Sequence, residues 1–180
     1  MSFFTDVSTE MIYPLLPVFL ASVLGANASF IGAIEGTAET TASLLKLLSG
    51  WWSDKVSSRK PFVVAGYLIA SIVRPFTAAT HTARQVLAIR VTDRVGKGIR
   101  TSARDALLAD SAAPEARGRA FGAFHAATGL ASLPASLLFG LCWKVFGAQA
   151  AFLAGAGIAL ISTGALLVFR RRTETAGEPA

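Results

Sequence analysis

Charged residues are scarce in this sequence. Asp, Glu, Lys and Arg make up 16% of the 180 residues, whereas hydrophobic residues make up 53% and the mean hydropathy is +0.54. This balance lies outside the range of soluble globular domains and inside that of membrane proteins. The net charge of +6 does not indicate a nucleic-acid-binding protein, because the basic residues lie between apolar spans and form no aromatic-interleaved basic module.

Several chemical signatures are also missing. Cys142 is the single cysteine, which excludes an intrachain disulfide and a cysteine-based metal site. The start MSFFTDVSTEM carries Asp6 and Glu10 where a signal peptide would be apolar, so we expect the first span to be retained. Gly96 and Lys97 do not form a Walker loop, because the required glycine and hydroxyl residue are absent around them. No metal cluster, Ser-His arrangement or catalytic acid pair can be read, so we predict neither an enzyme nor a cofactor.

Apolar stretches long enough to cross a bilayer, which takes about 20 residues, occur along the whole chain. We predict spans at 3–24, 29–51, 61–80, 86–109, 120–143 and 147–169. The short connections between them favour one compact bundle. The sequence thus predicts an all-α membrane protein, with a six-helix transmembrane bundle over residues 1–172 and a disordered cytoplasmic tail at 173–180.

Lysine and arginine concentrate on one side of these spans. Cytoplasmic loops retain such residues, and they cluster in the second loop, in the fourth loop and at 170–172. We therefore predict a multi-pass protein of the bacterial inner membrane, surrounded by lipid, with both termini in the cytoplasm.

The fourth span is unusually charged. At about 100° per residue, one arc of roughly 140° contains Arg90, Asp93, Arg94, Lys97, Arg100, Arg104 and Asp105. Charges inside a bilayer cost several kcal/mol each unless they face protein or water, so this stripe must line a polar cavity or the bundle interior. The first two spans offer counter-charge, because Asp6 and Glu10, like Glu35 and Glu39, are four residues apart.

Two further groups join this set: Arg74 in the third span and His125 in the fifth. We predict a substrate or ion pathway lined by Asp6, Glu10, Glu35, Glu39, Arg74, Arg90, Asp93, Arg94, Lys97, Arg100 and His125. A cationic cavity suits an anionic solute, and a carboxylate such as Glu39 could carry a coupling proton. The alternative is a set of structural ion pairs. Against it, cations outnumber acids in the stripe by five to two.

The loop after the second span reads GWWSDKVSSRK, residues 50–60. It resembles the cytoplasmic signature of the major facilitator superfamily, with Ser57 and Ser58 where the family usually has glycine and a basic residue. The resemblance implies a gating loop motif made of Gly50, Asp54, Lys55, Arg59, Lys60 and Asp110. In it, Gly50 permits close helix approach and Arg59 pairs with Asp110. The alternative is that any inner loop is basic.

A second match strengthens the resemblance. The segment AIRVTDRVGKGIRTSARDALLADSAAPEARGRAFG, residues 88–122, is similar to the family's fourth helix, with Arg90 at its intramembrane arginine. Family members ordinarily have two six-helix halves, so this chain would form one half. Its last third resembles the last two helices of a full-length member, which implies that the first four helices are joined to the last two near residues 117–121.

The resemblance implies secondary active transport of a small solute, coupled to an ion, and the cationic stripe favours an anionic solute. One half cannot enclose a site, so it also implies an oligomer, either a homodimer or a pairing with a related half. The alternative is a non-transporting remnant of an internal deletion, or an accessory membrane subunit. No nucleic-acid partner is expected.

Overall fold

The computed structural model describes residues 9, 12–56 and 59–175, and of residues 162 and 166–175 it describes the backbone alone. Its helices are α1 (Leu16–Ser22) after the 3-10 turn Tyr13–Leu15, α2 (Ala28–Ser53), α3 (Lys60–Val73) continued by the 3-10 helix Arg74–Ala79, and α4 (Ala83–Asp110). After the 3-10 turn Pro114–Ala116 comes the stretch Arg117–Thr175. Gly147 breaks this stretch with φ 86° and ψ 170°, which divides it into α5 (117–146) and α6 (148–175). The described part contains no strand, as expected for an all-α protein.

The helix ends follow local chemistry. The Asn27 side chain caps α2 by accepting a hydrogen bond of 2.8 Å from the backbone N–H of Phe30, and Thr82 and Gln85 form a capping box at the start of α4. Pro75, which lacks an N–H group, follows the point where α3 tightens into a 3-10 helix. When the 3-10 continuation of α3 to Ala79 is included, the bounds from α2 to α5 lie within three residues of those predicted from hydropathy.

Two described stretches are long and apolar enough to cross a membrane, Lys60–Ala79 and Pro114–Ala165. The helices α2 and α4, whose residues are all described, do not meet that criterion because charged side chains interrupt them. At the other end of the chain, α6 continues to Thr175. Residues 173–175 of the predicted disordered tail are therefore helical, since nothing in their sequence breaks the helix, and residues 176–180 lie outside the described part.

Close helix crossings hold α4 between α2 and α3. A Cβ atom added to Gly98 would lie 2.9 Å from the carbonyl oxygen of Ala42 on α2, and one added to Gly96 would lie 2.7 Å from that of Gly66 on α3. These backbones therefore touch directly, as small residues allow between membrane helices. The expectation that Gly50 marks such an approach is wrong, because its added Cβ would keep an ordinary 3.6 Å from the side chain of Ser102.

The apolar core lies where α1, α5 and α6 meet. The rings of Phe19, Phe139, Trp143 and Phe152 pack there, mostly edge to face, with centroids 5.0 to 6.4 Å apart. The outer face of α5 instead presents leucines such as Leu130, which is 77% exposed. An exposed apolar surface of this extent fits contact with lipid.

Candidate functional site

Two ion pairs connect α2 to α4 at mid-helix. Arg90 donates from Nε and Nη2 to the two carboxylate oxygens of Glu35, at 3.0 and 2.5 Å. One turn further on, Nη2 of Arg94 lies 3.4 Å from a carboxylate oxygen of Glu39. Both arginine side chains are buried, whereas the Glu35 and Glu39 side chains are 35% and 53% exposed. The prediction that the second span supplies counter-charge to the stripe is confirmed.

Tyr13 lies between the two arginines. Its ring is 3.6 Å from the guanidinium carbon of Arg90 and 4.4 Å from that of Arg94, within the range of cation–π attraction. Its hydroxyl donates a hydrogen bond to Asp93. Three buried nitrogens, Nη1 of Arg90 and Nε and Nη1 of Arg94, have no hydrogen-bond acceptor in the described part of the chain. The aromatic face therefore adds cation–π attraction to the carboxylate contacts of these two cations.

Asp93 also forms a buried ion pair with Arg74. The Nε atom of Arg74 lies 3.0 Å from Oδ1 of Asp93, and the two side chains are 5% and 7% exposed. Nη2 of Arg74 donates to the hydroxyl of Thr9 at 2.5 Å, so the pair joins three segments of the chain. An adjacent cavity of about 20 Å³ is large enough for one water molecule. Both charges are enclosed by protein, which fits the alternative that this is a structural ion pair.

The remaining stripe residues line a separate space, which we call the basic cavity. It measures about 330 Å³, and the charged and titratable groups in its described lining are Lys46, Lys97, Arg100, Arg104, Asp105 and His125. Arg104 donates from Nε and Nη2 to one oxygen of Asp105, at 3.1 and 3.0 Å, and faces the ring of Phe124. Lys97 and His125 therefore belong to this cavity.

The loop motif converges at one end of the bundle, which we call the motif end. Nη1 of Arg59 lies 2.6 Å from Oδ2 of Asp110, and its Nη2 lies 3.3 Å from Oδ1 of Asp54. The Arg59–Asp110 pair that the resemblance implied is confirmed. The ammonium group of Lys55 sits 3.5 Å above the Trp51 ring. One arginine thus connects the loop after α2 to the end of α4, while the gating role remains a prediction.

The structure leaves some predicted residues untested and adds others. Lys60 begins α3 and is exposed, and Asp6 and Glu10 lie outside the described residues. Sequence reasoning missed Tyr13 and Lys46. A signal existed, because Tyr13 follows Glu10 by three residues and Lys46 follows Glu39 by seven, so both continue a predicted acidic face. Within the described part, no group of three or more metal-ligating side chains comes together.

Comparisons with known proteins agree on one family. A family model described as Major Facilitator Superfamily matches residues 1–180. An uncharacterized MFS-type transporter from Methanocaldococcus jannaschii is 40% identical over 141 residues, 77% of this chain and 35% of that protein. An uncharacterized protein from Mycobacterium tuberculosis is 31% identical over 121 residues, 67% of this chain and 29% of its own length.

A solved structure has the same fold. The crystal structure of the POT family transporter PepTSo matches this chain with a TM-score of 0.78 and 20% sequence identity. The match covers 94% of this chain and 36% of the PepTSo chain. The chain therefore spans about a third of the length of each of these proteins.

Proposed function

The chain belongs to the Major Facilitator Superfamily of membrane transporters, and we propose that it is a six-span half-transporter for a small, preferentially anionic solute. In this proposal the bundle covers residues 1–172, transport is secondary active and ion-coupled, and two halves act together. The basic residues Lys55 and Arg59 support an orientation in a bacterial inner membrane with the motif end in the cytoplasm, and the proposal puts both termini on the same side.

The difference between the two α2–α4 ion pairs carries the proposal. Glu35 accepts two hydrogen bonds from Arg90, whereas Glu39 makes one contact of 3.4 Å with Arg94 and is 53% exposed. Glu39 is therefore the carboxylate that can leave its arginine at the smaller cost. Its protonation would free the guanidinium of Arg94 for the carboxylate of a solute, and its deprotonation would restore the ion pair and release that solute.

The partial exposure of Glu35 and Glu39 supports an oligomer. Ionised carboxylates facing hydrocarbon cost several kcal/mol each, so a second half is expected to cover this face and enclose a wet pathway. No atom lies within 4 Å of a Cβ atom added to Gly122 or Gly129 on α5, which leaves room for a neighbouring helix. The partner would be a second copy or a related half.

Uptake by proteoliposomes under an imposed pH gradient tests the mechanism, with labelled small organic acids as substrates. Glu39→Gln removes the titrating group and should abolish gradient-driven accumulation, because the amide can neither gain nor lose the proton. Glu115→Gln, which neutralises an exposed acid in the loop before α5, is the matched control and should transport like the wild type. Equal accumulation by the Glu39 variant and the wild type would refute the coupling role.

Crosslinking in native membranes tests the oligomer. A specific dimer, or a specific complex with a related half, is expected. A monomer that membrane proteases degrade would instead favour the non-transporting remnant.

A further inference from the structure

Lys46 is a cation within α2 that forms no ion pair with any of the described residues. It lies seven residues before the helix ends at Ser53 and is half-buried. None of the ion pairs between described side chains includes its ammonium group. Its backbone carbonyl oxygen accepts hydrogen bonds from the hydroxyl groups of Ser102, at 2.7 Å, and Ser49, at 3.3 Å. A lysine within a spanning helix is costly unless it faces protein, water or a ligand of opposite charge.

Lys46 lines the basic cavity, whose volume of about 330 Å³ lies within the range of small-molecule sites. Asp105 is the single carboxylate in its described lining, and that group already accepts two hydrogen bonds from Arg104. Four basic side chains surround the same space. Low-dielectric walls strengthen the potential that the charge of Lys46 creates in this space, so a negative charge there is favoured.

We propose that the basic cavity binds an oxyanion, a carboxylate or phosphate group, and that the ammonium group of Lys46 contacts it. A lysine serves as a point charge for such groups without requiring a fixed geometry. The seven residues between Glu39 and Lys46 place the cavity about 10 Å along α2 from the Arg94–Glu39 pair, toward the motif end. The inference rests on the proposed function in one respect: if the oxyanion belongs to the transported solute, the cavity is a second station on its path.

Binding is tested on the purified full chain in neutral detergent, through its thermal unfolding midpoint. Inorganic phosphate and succinate are the probes, and sodium chloride at equal ionic strength is the reference. At ten times its Kd, a bound anion should raise the midpoint by roughly 4 °C. Lys46→Gln should weaken binding by about tenfold or more, because a charge-assisted hydrogen bond is lost. Lys46→Arg keeps the charge and should retain binding.

Arg84→Gln is the matched control, since it removes one positive charge from an exposed position at the other end of α4. It should bind like the wild type. If the glutamine variant of Lys46 does not fold, Lys46→Met removes the same charge with an apolar side chain and gives the same comparison. Unchanged binding in these neutral Lys46 variants, or an equal loss in the Arg84 variant, would overturn the proposal.

Two further arms identify the source of the oxyanion. Stabilisation by phosphate or succinate assigns the cavity to a soluble anion, whereas stabilisation only by phosphatidylglycerol, compared with phosphatidylcholine in mixed micelles, assigns it to a lipid headgroup. Either result supports the oxyanion site, and no stabilisation by any of them excludes it. Binding without uptake of any labelled acid would refute transport and leave the site standing. Glu39-dependent uptake combined with unaltered binding in Lys46→Gln would refute the site and leave transport standing.

Discussion

The crossing of α3 and α4 leaves no space for a methyl group at Gly96. An added Cβ atom would lie 2.7 Å from the carbonyl oxygen of Gly66, which must retreat by about 0.7 Å to reach the 3.4 Å of ordinary contact. Because that oxygen belongs to a helix backbone, the two helices must separate as bodies. Overpacking of this kind costs about 1–3 kcal/mol, and the better helix propensity of alanine returns at most about 1 kcal/mol. We therefore expect Gly96→Ala to destabilise the protein by about 1–2 kcal/mol.

Thermal unfolding of the full chain in detergent measures this effect. For a chain of this size, 1 kcal/mol corresponds to about 2–4 °C, so the midpoint should fall by roughly 4 °C. Gly36→Ala on α2 is the control, because nothing lies within 4 Å of its added Cβ atom. It gains helix propensity alone and should raise the midpoint by about 2 °C. A rise of similar size in both variants would refute the claim that backbone contact requires glycine at position 96.

Two other substitutions separate the motif end from the centre of the bundle. Arg59→Ala removes both contacts of a partly exposed arginine, so stability should change by no more than about 1 kcal/mol while uptake falls. Arg84→Ala, at an exposed position away from the motif end, should leave both unchanged. A similar uptake in the two variants would exclude a gating role for Arg59. Tyr13→Phe keeps the ring between the arginines but removes the hydrogen-bond donor to Asp93. The free energy of unfolding should therefore fall by about 1–3 kcal/mol. An unfolding midpoint equal to that of the wild type would show that this hydrogen bond contributes little.

The contacts between α2 and α4 could be predicted because they depend on periodicity. The two helices run parallel, as the pairing of Glu35 with Arg90 and of Glu39 with Arg94 requires. Residues four apart on each helix then meet in successive turns, as the spacing predicts. The spacing does not fix the register, because Arg100 and Arg104 are also four apart, and packing selects Arg90 and Arg94. Tyr13 could not be placed in the same way. An aromatic residue in an apolar span is compatible with lipid contact and with burial in the core, and only tertiary packing brings this ring between two guanidinium groups.

A helical-wheel projection also could not show that the charged stripe of α4 contains two separate regions. The wheel gives the angle of each residue around the axis but not its depth along it. From Arg90 to Asp105 the helix rises about 22 Å, which is enough to contain two separate environments. Arg90 and Arg94 therefore join the ion pairs with α2, whereas Lys97 and Arg104 line the basic cavity. The single pathway predicted from the sequence corresponds in the structure to two neighbouring polar regions.

The burial of α4 explains why a helix that fails a hydropathy criterion can occupy the centre of a membrane protein. Its glycines at 96 and 98 bring it against α3 and α2, and its cations at 90, 94 and 100 are at most 6% exposed, so these charges do not meet lipid. The α2 carboxylates that pair with Arg90 and Arg94 lack the same protection, since the Glu35 and Glu39 side chains are 35% and 53% exposed. In a membrane, these exposed carboxylates are costly unless water or another protein surface covers them. The same exposure that makes Glu39 the candidate for proton exchange is therefore the reason to expect a second half opposite α2.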